Sequence, residues 1–238
     1  MKFYIREKTQ QYYNNLLIKA DLGLHEQIAA ELVGKLSKNA KVLDLGAGEG
    51  ALSERLADLG FHVTAADKDE ENFKSTKAVF TKINFDSLED IQVFTKQHQN
   101  EFDAVLGIEV IEHVQDQWQY VRQLMQMVKK DGLILITTPN TASWLSRVLY
   151  LLSGRFHQFS DADLSYGHIN PISEWELNLI LKETGATDIK ITPAGTLPPL
   201  YLSNFKTSLL SFLMLPLRPF MKGTIDGWCI MAVAKKPN

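Results

Sequence analysis

The middle of the chain alternates short apolar runs with segments whose apolar positions recur every three or four residues, the grammar of strands alternating with helices. Lys41 to Leu45 predicts a buried strand that runs into a glycine-rich turn. Leu52, Leu56 and Leu59 then share one face of a helix over Ala51 to Leu59, stopped by Gly60. Phe61 to Ala66 predicts a second strand, Val79 to Phe85 a weaker third, Ser87 to Gln97 a helix, and Phe102 to Ile108 a fourth strand. Trp118, Val121, Leu124, Met125 and Val128 mark a long amphipathic helix, with Lys129 and Lys130 suiting its C-terminal dipole and Gly132 as its cap. Leu133 to Thr138 is the fifth strand, ended by Pro139. This alternation argues for a parallel sheet covered by helices.

Beyond Pro139 the pattern changes. Trp144, Leu145, Val148, Leu149 and Leu152 form an apolar helical stripe, followed by a polar loop from Ser153 to Gly167. Ser173 and Glu176 predict a capping box for a helix through Thr184, stopped by Gly185. Asp188 to Thr192 and Trp228 to Ala234 read as two more strands, separated by a segment rich in proline, leucine and phenylalanine. Ahead of the alternating region, Gln10 to Leu36 predicts two helices broken near Gly23. The domain reading is an N-terminal helical lid over 1–37 and a main domain over 38–238, with an apolar insertion at about 195–225.

Length and composition bound the function. The 238 residues, 45% hydrophobic and 22% charged, can bury one large core. A balance of 25 basic against 28 acidic residues gives no basic surplus and argues against a nucleic-acid partner. A single cysteine, Cys229, excludes a disulfide within the chain and a cysteine-based metal cage. No stretch reaches the roughly 18 apolar residues of a membrane span. Met1 to Gln11 lacks the basic and apolar regions of a signal peptide, so a cytoplasmic location is expected.

The chemistry concentrates in Val42-Leu43-Asp44-Leu45-Gly46-Ala47-Gly48-Glu49-Gly50, where a strand meets a turn of alternating glycines and a helix begins at once. Glycine permits positive φ and lets a ligand approach the backbone. Asp67, at the end of the second strand, is placed to accept both hydroxyls of a ribose. Together they predict a site for an adenosine-containing cofactor. Gly46, Gly48 and Ala51 also satisfy the dinucleotide pattern G-x-G-x-x-A, so an NAD(P)-dependent oxidoreductase stays open on these residues. The Tyr-x-x-x-Lys match at Tyr4 and Lys8 lies ahead of the nucleotide site and is misplaced for hydride transfer.

Several motifs in order resemble the class I S-adenosylmethionine-dependent methyltransferases, closely the type 11/23 branch that includes the ubiquinone-biosynthesis O-methyltransferases. Asp44, Gly46, Gly48 and Gly50 match the first motif and Asp67 the ribose-binding acid. Phe102 to Val114, with Ile108-Glu109-Val110-Ile111-Glu112-His113, matches the fourth-strand motif; Thr137-Thr138-Pro139-Asn140 matches the end of the fifth strand. Lys129-Lys130-Asp131-Gly132 stands where the family usually has K-P-G-G, and Gly167-His168 followed by Ser173 to Gly185 resembles a later segment. The resemblance covers about residues 24 to 192 and is weak over Gly195 to Ile225. It implies a Rossmann-like seven-stranded sheet, mostly parallel, with S-adenosylmethionine as cofactor. It further implies that Gly46, Ala47, Gly48 and Gly50 pass beneath the cofactor, that Asp44 orients its amino group, and that Asp67 holds the ribose with Lys68 bordering the adenine. Asp86, followed by Ser87, stands where the family has an acid near the adenine, and Ile108 and Glu109 face the cofactor.

Methyl transfer needs a nucleophile held in line, exclusion of water and, for oxygen or nitrogen, a base. His113 and His168 are the candidates, each with a plainer role as a hydrogen-bonding residue of its loop. Glu109, Glu112 and His113 have the chemistry of a divalent-cation set, but three residues on one segment need help from elsewhere, and no metal site is assigned. Trp144 to Leu152 and Tyr201 to Phe220, with Lys206, Arg218 and Lys222, are either a packed lid or a greasy substrate tunnel or membrane-surface patch. The expected activity is methylation of a small-molecule acceptor, most simply at oxygen, with an apolar, quinone-like or lipid-like acceptor and peripheral membrane contact as its extension. A cofactor-binding protein without catalysis is the remaining alternative.

Overall fold

Each central strand is a run of apolar residues buried on both faces, as a sheet sandwiched between helical layers requires. The structure, a computed structural model, describes residues 4–5, 10–85 and 87–238. Among these, the central sheet comprises β1 (Lys41–Leu45), β2 (His62–Asp67), β3 (Val79–Lys82), β4 (Phe102–Ile108), β5 (Val128–Pro139), β6 (Thr187–Ala194) and β7 (Cys229–Lys235). The strands lie in the order β3-β2-β1-β4-β5-β7-β6. The first five are parallel, and β7 runs antiparallel to β5 and β6.

The helices are α1 (Leu24–Val33), α2 (Ala51–Asp58), α3 (Leu88–Gln97), α4 (Gln117–Met127), α5 (Trp144–Ser153), α6 (Glu174–Glu183) and α7 (Phe205–Met214). Alternation along the strands divides the core in two. Leu43, Val105, Ile134 and Ile136 point into a cluster with α3, α4 and α6. Val42, Leu106, Leu133 and Leu135 point the other way, against α1, α2 and the start of α5. Trp144, fully buried there, donates from Nε1 to the Pro198 carbonyl at 3.1 Å and so ties α5 to the 195–225 insertion.

Most predicted elements appear within a residue or two of their expected bounds. The N-terminal segment is the main correction. In place of two helices, Gln11–Tyr13 and Leu16–Ile18 pair as an antiparallel hairpin, and only α1 is helical. The turn residues Asn14 and Asn15 have φ of 47° and 67°, the double positive φ of a tight hairpin turn, which asparagine tolerates better than most residues. Leu16 and Ile18 bury against Ala51 at the start of α2, so the helix-like spacing of apolar residues here is a strand's inward face. Tyr4–Ile5 pair in parallel with Leu200–Tyr201 of the insertion.

Gly132 does not cap α4. The helix ends at Met127, and Val128 is already extended and paired with Phe102. Asp131 takes the positive φ, while a β-carbon on Gly132 would come within 2.7 Å of Val128 and 3.0 Å of the Asp103 carbonyl oxygen. Lys129 bonds Asp103 at 2.6 Å instead of facing the helix end. The third strand stops at Lys82, short of Phe85, as suits a half-exposed edge. Ser173 Oγ accepts from the Glu176 amide at 3.1 Å as expected, while a complete reciprocal box forms at Asn204 and Thr207, where α7 starts. Among the described residues, no helix is long and apolar enough to cross a membrane.

The hairpin assignment has a direct test. Asn15→Gly, free to adopt positive φ, is expected to keep or slightly raise stability in urea unfolding; Asn15→Val should cost about 1–2 kcal/mol, the penalty for a side chain forced into the left-handed region.

Candidate functional site

The site begins where β1 ends. Gly46 and Ala47 donate their amides to the Ala66 carbonyl at 2.8 and 3.3 Å, so the pairing of β1 with β2 continues into the turn. Gly48 then donates to Asp67 Oδ2 at 2.8 Å, and the Asp69 amide bonds Oδ1 at 3.1 Å. The glycines have different reasons to be glycine. Gly46 (φ +77°) is pressed against Val110, where an added β-carbon would come within 2.5 Å. Gly50 (φ +87°) is pressed against Phe73 and Ser75. Gly48 (φ +55°) faces open space.

That space is a cavity of about 880 Å³, within the range of about 300–1,000 Å³ typical of ligand clefts. Of the residues expected from sequence, Asp44, Gly46, Ala47, Gly48, Ile108, Glu109, His113 and His168 line it. Gly50, Asp67, Lys68 and Ser87 are not among the residues lining it: Gly50 packs under the turn, Asp67 holds the Gly48 amide at its edge, and Ser87 caps α3 by accepting from the Asp90 amide. Lys68 is exposed beyond β2, and Asp86 lies outside the described residues.

Asp44 is buried at the cavity wall, accepting from Ser53 Oγ at 2.6 Å. Burial raises its pKa to about 6, opposed by the Ser53 hydrogen bond and reinforced by the charge of Asp67. A carboxylate so placed, with no cation paired to it among the described residues, suits the ammonium end of a ligand.

Glu109 was expected at the cavity, but the groups that gather around it were not. Glu109, ending β4 with a strained φ of +55°, accepts from Thr137 Oγ1 at 3.0 Å and from the Cys229 thiol at 3.3 Å. The same thiol lies 3.5 Å from Asp21 Oδ2, which also accepts from Gln158 Nε2 at 3.1 Å. Burial, then the charges of Glu109 and Asp21, push the Cys229 thiol well up, so it serves as a protonated donor. His25, in the first turn of α1, also lines the cavity; burial lowers its pKa to about 4, so it is neutral. Residues 21 and 25, 158, and 229 come from three separate segments, and no local spacing announces their convergence.

Two histidines also line the cavity. The rings of His113 and His168 meet edge to face at 4.9 Å. His168 Nδ1 lies 2.8 Å from the Gln158 carbonyl oxygen, an acceptor only, so Nδ1 carries the proton and Nε2 of the neutral ring keeps its lone pair. Burial and the neighbouring His168 lower the pKa of His113, partly offset by hydrogen bonds with the Gly167 and Glu109 backbone. The three residues grouped in sequence as cation ligands separate: Glu112 and His113 converge with His168, Glu109 with Asp21 and Cys229. Burial and then the charge of Glu109 push the Glu112 carboxyl well above the usual range, which favours its protonated form.

Asp44→Asn is expected to stabilise the ligand-free protein. The folded carboxyl holds its proton to about pH 6, whereas the unfolded one releases it near pH 4. The cost of burying the anion is therefore absent below pH 4 and complete above pH 6, where the gain on substitution is up to about 3 kcal/mol. Thermal melts at pH 4 and pH 8 check this: a gain of the same size at both would refute it.

Residues 19–191, which hold the first five strands, the glycine turn and both histidines, match the family model of a methyltransferase domain. Curated relatives include the ubiquinone biosynthesis O-methyltransferases of Rickettsia typhi, 30% identical over 58% of this chain and 48% of the relative, and of Caulobacter vibrioides, 35% identical over 42% and 40%. The chain thus spans about half the length of the curated relatives it matches. Similar solved folds include an S-adenosylmethionine-dependent methyltransferase from Archaeoglobus fulgidus (TM-score 0.59, 18% identity, 89% of this chain and 94% of that one). Another is phosphoethanolamine N-methyltransferase 2 of Haemonchus contortus in complex with S-adenosyl-L-methionine (TM-score 0.55, 16% identity, 89% and 53%). With the sheet order, the glycine turn and the matched span in agreement, the chain belongs to the class I S-adenosylmethionine-dependent methyltransferase family.

Proposed function

We propose that the chain transfers a methyl group from S-adenosylmethionine to a hydroxyl oxygen of a small apolar acceptor, with His168 taking the hydroxyl proton. The observation that carries this reading is the arrangement across one cavity. The turn at Gly48 leaves room for a cofactor, and His168, lining the same cavity, has one nitrogen tied to a carbonyl and the other left as a base. Oxygen as the methylated atom and an apolar acceptor are supported by the similarity to ubiquinone biosynthesis O-methyltransferases, and by Leu17, Leu52, Leu149 and Phe156 in the cavity wall.

The cofactor supplies a methyl carbon already activated on a sulfonium, so the protein's work is binding, alignment and proton removal. Asp44, ionised once a cation approaches, holds the ammonium end. Asp67 keeps the turn in shape through the Gly48 amide and, at its remaining lone pairs, takes a ribose hydroxyl. With the cofactor bound, the acceptor oxygen would supply the electron pair of the new C–O bond while the methyl carbon's bond to sulfur breaks and its pair stays on the departing neutral thioether; the hydroxyl proton would pass to Nε2 of His168. The imidazolium so formed sits beside His113, which its surroundings keep uncharged, so no second positive charge opposes the transfer. His113 is then a positioning residue, not the base.

Gly48→Ala places a methyl group in the cavity and should weaken S-adenosylmethionine binding at least about tenfold in calorimetry, with an intact cooperative melt. Unchanged affinity in the folded variant would refute the cofactor assignment. His168→Gln should lower kcat by about 10²–10⁴-fold, the usual worth of a general base, and leave cofactor affinity unchanged. Screening phenols, quinone precursors and lipids for methylation supplies the acceptor. A His168→Gln enzyme of normal kcat, with His113→Gln inactive, would exchange the two roles.

A further inference from the structure

α7 (Phe205–Met214) is apolar over most of its circumference, yet its one fully buried residue is Ser211. Phe205 (81% exposed), Leu209, Phe212 and Leu213 face solvent. The helix packs on α5, whose last turn presents Leu151 (84% exposed) and Leu152, and the 3₁₀ turn that follows α7 adds Phe220 (82% exposed). A contiguous apolar face of this kind marks an interaction surface.

Charge identifies the partner. Residues 144–159 and 195–225 contain no Asp or Glu, but they hold Arg147, Arg155, Lys206, Arg218 and Lys222, in a chain whose net charge is −3. Arg155 and Arg218 pair with Asp161 and Asp226 at the margin. Lys206 and Lys222 are exposed and make no ion pair among the described residues. Apolar side chains fringed by unpaired cations fit a bilayer with anionic headgroups, into which the former dip while the latter meet phosphate. A second copy of the chain fits less well, because a two-fold contact would bring like cations together in a low-dielectric interface. The face also adjoins the cavity: Leu149, Ser153, Arg155 and Phe156, at and just beyond the end of α5, line its rim.

We propose that α7 and the end of α5 form a docking surface for an anionic phospholipid bilayer, which sets the cavity mouth against the lipid phase. That a membrane-dissolved acceptor enters there rests on the methyl-transfer reading above; the docking itself does not.

The test is co-sedimentation of the full chain with vesicles of phosphatidylcholine, with and without phosphatidylglycerol. Binding is expected to the mixed vesicles and to fall as salt is raised. Phe205→Ser with Phe212→Ser, and separately Lys206→Glu with Lys222→Glu, should each weaken partition at least about tenfold. None of these residues lines the cavity, so calorimetric S-adenosylmethionine binding should be unchanged. Failure of the wild-type protein to bind S-adenosylmethionine would count against the methyl-transfer reading, and the vesicle result would still decide docking. A folded wild-type protein that does not sediment with the mixed vesicles would overturn the proposal. Binding indifferent to lipid charge and to the lysine variants would overturn it too, as would light scattering that shows a dimer dissolved by the phenylalanine variants.

Discussion

The pairing of β1 with β2 does not stop where the strands stop. One carbonyl, that of Ala66, takes the amides of both Gly46 and Ala47, and the next acceptor along, the Asp67 carboxylate, takes that of Gly48. Three successive residues of the turn are thus fixed by the neighbouring strand. Everything around the cavity depends on this rigidity: α2 starts from Gly50 in the left-handed region, Gly46 can lie against Val110 beyond β4, and Asp44 is held in the wall with Ser53 of α2 as its donor. Preorganisation of this kind is what a site needs if its binding energy is not to be consumed in ordering its own backbone.

The same logic separates residues that shape the site from those that contact its contents. Three glycines that look equivalent in the motif are not: at two of them Val110, Phe73 and Ser75 leave no room for a β-carbon, while the third, Gly48, takes a positive φ beside open space. Asp67 has both oxygens engaged by backbone amides while standing at the end of β2. A substitution there would change the turn itself, which makes Gly48 the cleaner probe of the two.

The parallel sheet was legible because its strands are continuous apolar runs and its turns are written in glycine. The hairpin at Gln11–Ile18 was not, since Tyr13, Leu16, Leu17 and Ile18 suit a helix face as well as a strand, and an Asn-Asn pair is a quieter turn signal than Asn-Gly. Both histidines and the glycine turn could be named in advance, because each lies in a motif. Glu109 lies in a motif too, but its meeting with Asp21, Gln158 and Cys229 could not be foreseen: only the assembled sheet, with β7 against β5, carries Cys229 to the end of β4. Nor does the motif reveal that His168 has a fixed tautomer, because that depends on a carbonyl ten residues earlier in an irregular loop.

β7 is the last strand along the chain, yet it lies between β5 and β6, and among the described residues it is the only strand beside β6. The order of synthesis therefore differs from the order of assembly. When residues 187–194 leave the ribosome they have no strand partner, and β5 presents a long bare edge until residues 229–235 arrive. The insertion between them, with its exposed leucines and phenylalanines, emerges during that interval. The nascent chain thus passes through a stage in which an open strand edge and an apolar helix coexist, the combination most prone to misassociation. A holding factor, or the early docking of α5 and α6 on the first five strands, would be needed to carry it through.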